Sequence, residues 1–396
     1  MRIVSPGVSA GVTPRGVTFP LLPLPGPGAL MRSLGTAPSS GASWCDGRWT
    51  VVRLFARGTH ALAAAVDGVR ATAGATSVEL WLPGYFCNPA LSLVRRLPVS
   101  LHFYPVTEDL APDWERIQVS RSGAGQPRVF LLAHYFGFPA PGERARAFCA
   151  THGMVLLEDA AHVLVPDSVP AWGDMRIFSP HKVLAVPPVG ILASSPEWAA
   201  GLPAAPEPVW RPTLHWMATR LPRTAAFRLR VPTHRIRGGA LDAITSPDEL
   251  GPLGRAHPLA LRMLATMERS AAAFAGQRRD HYRRLARLVA DLPGAGPLFP
   301  ILPDGVCPMS LPLVASGGRA LARRIEEAGV RTGQWWDLPP EVANDPGLHP
   351  VALRFYDQLT FVPIHQSLTS RDVDEIGERL TAATRGQRDA ASTGVA

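Results

Sequence analysis

The chain has 396 residues, of which 46% are hydrophobic and 18% charged, with 10 Trp and 14 Phe. That supplies cores for two packed lobes and excludes a disordered chain. The formal charge of +8 is dispersed and carries no zinc-finger, helix-turn-helix or RNA-binding signature, so no nucleic-acid partner is expected.

Residues 1–45 contain no Asp or Glu and are dense in Gly, Pro and Ser, which predicts an irregular arm that packs its apolar residues on the body. Gly58–Arg70 reads as an Ala-rich helix, Ser77–Pro83 as a short buried strand and Asn88–Arg96 as a helix. Val99–Val106 alternates like a strand, and Pro127–Gly137 is a second apolar strand. Gly142–His152 reads as a helix, and Met154–Asp159 as a strand ending in acid. Strands alternating with helices predict an α/β fold with a mostly parallel sheet, whose ligands gather at the carboxyl ends of the strands.

A Pro-rich connector follows. Residues 211–237 then hold seven arginines, with no acid between Glu207 and Asp242, and read as a solvated face, a dimer contact or an anion site. Helices are expected over 254–290, near 319–328 and from Ser370 to Ala382, with strands at SLPLVA and FVPIH. The division is therefore an arm over 1–45, a large domain over 46–235 and a smaller C-terminal α+β domain over 236–396. No run reaches the roughly 20 apolar residues of a spanning helix and no basic-then-apolar leader is visible, so a soluble cytoplasmic protein without membrane contact is expected. Cys45, Cys87, Cys149 and Cys307 form no CxxC pair, and neither a metal site nor a disulfide ladder is expected.

The basic residues carry the chemical signal. Of 40 Lys plus Arg, the only lysine is Lys182. Arginine replaces lysine wherever positive charge alone matters, so one retained lysine reads either as a job that guanidinium cannot do, such as amine nucleophilicity, or as chance survival at a surface position. Arg57-Gly58-Thr59 opens a helix whose amides and hydroxyl suit a phosphate, or Thr59 is a plain helix cap. Glu158-Asp159 ends a strand, where an acid pairs with a protonated heterocycle or caps a turn. Ser179-Pro180-His181-Lys182 follows the strand DMRIF. Together these supply a phosphate cup, an acid and an amine.

From about Arg57 to Leu380 the chain resembles the DegT family of aminotransferases, which use pyridoxal 5'-phosphate (PLP) and are best known from amino-sugar biosynthesis. GTHAL resembles the family's phosphate-binding segment. LPGYFCNPAL resembles the segment bearing the ring-stacking aromatic. AHYFGFP with HGMVLLEDAAH is similar to the paired HxxG and EDxAH motifs, and GDMRIFSPHKVLAVPPVGIL to the Schiff-base loop. FVPIHQSLTSRDVDEIGERL resembles the closing segment.

The resemblance implies a fold-type-I PLP transferase, a homodimer, and transfer of an amino group from an amino acid donor to a keto acceptor. Lys182 would carry PLP as a Schiff base, and Asp159 would bind the pyridine nitrogen. His162 would lie on the phenolic oxygen side, with Gly58, Thr59 and Ser179 at the phosphate and Tyr85 or Phe86 stacked on the ring. Two departures stand out. Pro188-Val189-Gly190 replaces the usual Gly-Gly, and the Asn-Tyr-Arg stretch of sugar-acting members is not evident. A PLP-dependent dehydratase or lyase and a non-catalytic PLP-binding homologue are the alternatives. The retained Lys182 argues against the dehydrating branch, where His replaces it. His134 and His365 read either as polar linings of the site or as satisfied structural groups.

Overall fold

The computed structural model describes residues 17–392 apart from 27, 46, 120–125, 204–206, 232–252 and 336, with side chains described to 385. The first 16 residues of the expected arm, and Arg235 and Arg237 of the basic stretch, lie outside the described residues.

In chain order the elements are α1 (Ala29–Leu34), β1 (Val51–Phe55), α2 (Gly58–Thr72), β2 (Val78–Pro83), β3 (Val99–Tyr104), β4 (Arg128–Ala133), α3 (Gly142–His152) and β5 (Met154–Asp159). Next come β6 (Met175–Phe178), β7 (Gly190–Ser194), α4 (Pro196–Ala199), β8 (Pro208–Val209), α5 (Arg211–Arg228), β9 (Arg255–Ala256), α6 (Pro258–Glu268) and α7 (Ala271–Leu288). The last are β10 (Ala295–Pro297), β11 (Leu311–Ala315), α8 (Gly318–Glu327), β12 (Gly333–Gln334), α9 (Pro340–Ala343), α10 (Pro350–Gln358), β13 (Leu359–Val362) and α11 (Ser370–Ser392).

A nine-stranded sheet has the order β3-β2-β4-β5-β6-β7-β1-β9-β8. Its strands β3, β2, β4, β5 and β6 are mutually parallel. Helices cover such a sheet on both faces, so its strands can be apolar almost throughout, as β2 and β6 are, with every residue buried. Strand β7 runs antiparallel to both β6 and β1. Two reversals restore direction, so β1 ends on the same edge of the sheet as β5 and β6. The helix α2 follows β1 and packs its small residues, Ala61 and Ala63–Ala65, against the sheet. Helix α3 stops at Gly153, where φ is 61°, a left-handed end that glycine adopts without a Cβ clash.

The second sheet, β10-β11-β13-β12, is antiparallel throughout. Helix α8 buries Leu321, Ala322 and Ile325 on it, four residues apart or fewer along one face. Residues 17–24 are pinned to this lobe. Phe19 bridges Val330, and Leu24 accepts from and donates to Ser367.

Two expectations change. The segment Asn88–Arg96 is not one helix but two 3-10 turns, Asn88–Leu91 and Val94–Arg96. Contacts with the C-terminal lobe hold it in that form: the Asn88 amides donate to Asp337, and Arg95 pairs with Glu341 at 2.7 Å. The basic stretch is helical as far as Arg228, with Trp210, Leu214, Leu221 and Leu229 exposed beside its arginines.

Candidate active site

Five segments bring polar groups to one edge of the large sheet. They are the ends of β2, β4, β5, β6 and β1, as expected for ligand placement in such sheets.

Helix α2 begins behind an extended Arg57 and no side chain caps it, so its first amides stay open for an acceptor. A Cβ on Gly58 would lie 2.1 Å from Ser179 Oγ, and one on Gly190 would lie 2.0 Å from the Arg57 carbonyl oxygen. The Gly190 backbone therefore touches that of Arg57, and the Ser179 side chain closes on Gly58. The single glycine of Pro188-Val189-Gly190 stands at the point where no side chain fits. Thr59 Oγ1 is buried there without a hydrogen-bond partner among the described residues. An open helix N-terminus of 15 residues, a cradle without side chains and an orphaned hydroxyl fit a phosphate group.

Lys182 closes a 3-10 turn after Ser179. Its Nζ lies 3.3 Å from His162 Nε2. His162 Nδ1 accepts the backbone N–H of Phe136 at 3.1 Å, which orients the ring with Nε2 toward the lysine. Burial pushes the His162 imidazole well below its ordinary range, and the Lys182 charge pushes further in the same direction. Phe136 reaches His162 only through a left-handed backbone, φ 56°, followed by Gly137 at φ 86°. Such a conformation costs a bulky residue about 1–3 kcal/mol and persists only where its surroundings enforce it. Here Met309 N–H donates to the Phe136 carbonyl at 2.7 Å.

The acids separate by strand face. Asp159 accepts the Ala161 N–H on Oδ1 at 2.9 Å at the end of β5. Its neighbour Glu158 points the other way, as alternation requires. Glu158 takes His134 Nε2 at 3.2 Å, Arg176 Nε at 3.1 Å and the Gly173 amide at 2.9 Å. Burial raises the Glu158 carboxyl, but His134 and Arg176 outweigh it and hold the group at about 2. His134 is therefore spent inside this cluster. His365 is likewise a structural group: it sits 2.9 Å from the Pro20 carbonyl and binds the arm.

Tyr85 is fully buried and stacks on Trp335, with ring centroids 4.6 Å apart. Its hydroxyl has no hydrogen-bond partner among the described residues, and burial drives its pKa well up. Phe86 is 4% exposed. Sequence reasoning missed three groups here. Cys87 lies close enough to feel the charges of Lys182 and Asp159, while burial is the main influence raising its thiol. Trp335 stands edge-on to His162 at 6.2 Å. Phe136 is the third. Among the described residues no cluster of three or more His, Cys, Asp or Glu is placed to hold a metal, and no helix is long and apolar enough to cross a membrane.

No family model and no curated protein matches the chain. Solved structures do. PseC of Helicobacter pylori, an aminotransferase involved in the biosynthesis of pseudoaminic acid, is 12% identical and superposes with a TM-score of 0.65 over 94% of this chain and 100% of that one. TlmJ, an aminotransferase of Streptoalloteichus hindustanus, is 18% identical with a TM-score of 0.64 over 94% and 100%. A DegT-type aminotransferase of Brucella abortus is 14% identical with a TM-score of 0.62 over 90% and 95%. The α/β architecture, with its large mostly parallel sheet and smaller C-terminal lobe, is the fold of these DegT-type aminotransferases along nearly the whole chain.

Proposed function

We propose that this protein is a PLP-dependent aminotransferase that moves an amino group from an amino acid donor to a keto acceptor of a biosynthetic pathway. One observation carries the reading. The sole lysine of the chain meets a buried neutral imidazole on the same sheet edge as an acid and an uncapped helix end with an orphaned hydroxyl.

In this reading Gly58, Thr59 and Ser179 hold the phosphate, Asp159 keeps the ring nitrogen protonated, and Lys182 is the attachment point. Tyr85 or Phe86 supplies the aromatic wall. When bound, PLP supplies the electron sink for a broken Cα–H bond. The Lys182 amine, displaced by the donor, takes that proton and returns it. His162 presents its Nε2 to this amine and orients it. The buried aromatic cluster of Tyr85, Tyr135, Phe136 and Trp335 keeps water from one side of the site.

Homodimer assembly belongs to the same proposal. Exposed Met31 of α1 and Leu221 of α5 line one groove with Leu30 and Met217, an apolar surface of the kind that proteins cover. A closed two-fold dimer is the commonest way to cover such a surface. Light scattering that finds an active monomer would remove this part. A cytoplasmic location is part of the proposal as well.

The deciding experiment combines PLP with the purified protein and reduces the mixture with borohydride. A pyridoxyl group on Lys182, located by mass spectrometry, is expected in wild type and absent in Lys182→Ala. Conversion of bound PLP to pyridoxamine phosphate by one member of an amino acid panel then identifies the donor. No pyridoxyl mark on Lys182 would overturn the proposal.

A further inference from the structure

Arg278 of α7 is fully buried, and its acceptors are three backbone carbonyls and one amide oxygen. Nη2 donates to the Val183 carbonyl at 2.7 Å, and Nη1 donates to the Met309 carbonyl at 2.7 Å and the Pro308 carbonyl at 3.4 Å. Nε donates to Gln366 Oε1 at 2.9 Å, and Gln366 Nε2 in turn donates to the same Val183 carbonyl at 3.1 Å. Among the described residues no carboxylate takes part. Burying a guanidinium on neutral acceptors alone is costly, and apolar packing would fill the space without that cost. What only a planar guanidinium does is grip two separated carbonyls at once, in fixed directions.

The two gripped residues flank the candidate site. Val183 follows Lys182 directly. Met309 holds the strained Phe136 turn, whose N–H fixes His162. The contacts therefore close into a ring: Lys182 to Val183, Val183 to Arg278, Arg278 to Met309, Met309 to Phe136, Phe136 to His162, and His162 back to the lysine amine.

We infer that Arg278, with Gln366, is a positioning residue that sets the contact between Lys182 Nζ and His162 Nε2 from both sides, coupling the C-terminal lobe to the reactive amine. The role of that amine rests on the function proposed above; the clamp itself does not. Because the grip acts through backbone carbonyls, its loss appears in backbone opening at two sites far apart in sequence. The affected amides are those of Lys182–Leu184, bonded to Ser179 and Pro180, and those of Phe136 and Met309.

Hydrogen exchange read by mass spectrometry tests this in the PLP-loaded and PLP-free full-length protein. Arg278→Met removes every donor, Arg278→Lys keeps the charge without the fork, and Gln366→Leu removes one donor to Val183. The expected result is exchange faster by roughly tenfold or more in both segments in either Arg278 variant, the effect of losing a charged hydrogen bond. Gln366→Leu removes a donor to Val183 and an acceptor of Arg278 Nε, and is expected to raise exchange most in the 180–184 segment, by roughly fivefold, with a smaller rise at Phe136 and Met309. Borohydride fixation of PLP on Lys182 is expected to slow in parallel, with no rescue by Arg278→Lys. If the Arg278 variants do not fold, Gln366→Leu decides. Wild-type protection in both segments of every folded variant overturns the inference, even where melting temperature falls. If wild type fixes no PLP, the cofactor reading fails, while the exchange result still decides the clamp.

Discussion

Replacing Thr59 by Val separates a ligand-holding hydroxyl from a helix cap, because the two roles predict opposite signs. Thr59 Oγ1 is buried and has no partner among the described residues. A buried hydroxyl left unsatisfied costs about 1–3 kcal/mol, so removing it stabilises the PLP-free protein by about 1 kcal/mol once the loss of packing is offset. In the proposed site the same hydroxyl would face the PLP phosphate, and a hydrogen bond to a charged group contributes about 1.5–3 kcal/mol. Thr59→Val therefore weakens PLP binding by roughly 10–100-fold. Heat is a poor readout of the first effect. At about 2.1 cal/mol/K per residue, a chain of 396 residues shifts its Tm by only about 1 °C per kcal/mol. Urea unfolding of the PLP-free protein and PLP titration followed by absorbance measure the two effects directly. A PLP-free variant less stable than wild type, or an unchanged PLP affinity, would refute the reasoning and return Thr59 to a capping role.

Other substitutions and pH changes probe the surroundings. Asp159→Asn is expected to retain PLP on Lys182 and to slow the half-reaction with donor by orders of magnitude in stopped-flow absorbance, whereas a mere turn cap predicts near-silence, since Asn caps as well as Asp. Gly190→Ala places a Cβ 2.0 Å from the Arg57 carbonyl oxygen, and backbone cannot yield as a side chain would. A loss of about 1–3 kcal/mol in urea unfolding, together with weakened PLP binding, is expected. Burial pushes His365 down to about 3, and the charge of Arg278 pushes the same way. Its folded pKa lies below the unfolded one, so its contribution is complete above about pH 6.5 and is lost as pH falls toward 3, at about 1.4 kcal/mol per unit. Urea midpoints in wild type against His365→Gln over pH 6.5–4.5 check this, and equal slopes would contradict it.

What was legible in the sequence was whatever depends on local chemistry. Met154–Asp159 is a strand with the bounds its apolar run implied, and Gly142–His152 is a helix closed by Gly153. Lys182 stood out because lysine is otherwise absent. What escaped depends on partners distant in the chain. Asn88–Arg96 has helical composition, but Asp337 and Glu341, some 250 positions away, draw it into separate turns. Phe136 is an ordinary aromatic in sequence, and only its hydrogen bonds to His162 and Met309 show why it accepts a left-handed backbone. Arg278 is one arginine among many, and nothing local marks it as fully buried on neutral acceptors, where the equally buried Arg176 has Glu158.

The antiparallel position of β7 has a kinetic side. Of its two neighbours in the sheet, the one nearer to β1 along the chain is β7 at Gly190–Ser194, with Val51 opposite Ser194, so the two must close a loop of more than a hundred residues. Loop closure on that scale precedes any return from pairing, which makes the step slow and places it late. During synthesis β1 and the start of α2 emerge well before β7, and Gly58 cannot meet Ser179 and Gly190 until most of the large sheet has been made. Until then the apolar residues Val51, Val52, Leu54 and Phe55 have no sheet to join, and this short stretch is where a stalled or truncated chain is most exposed to aggregation.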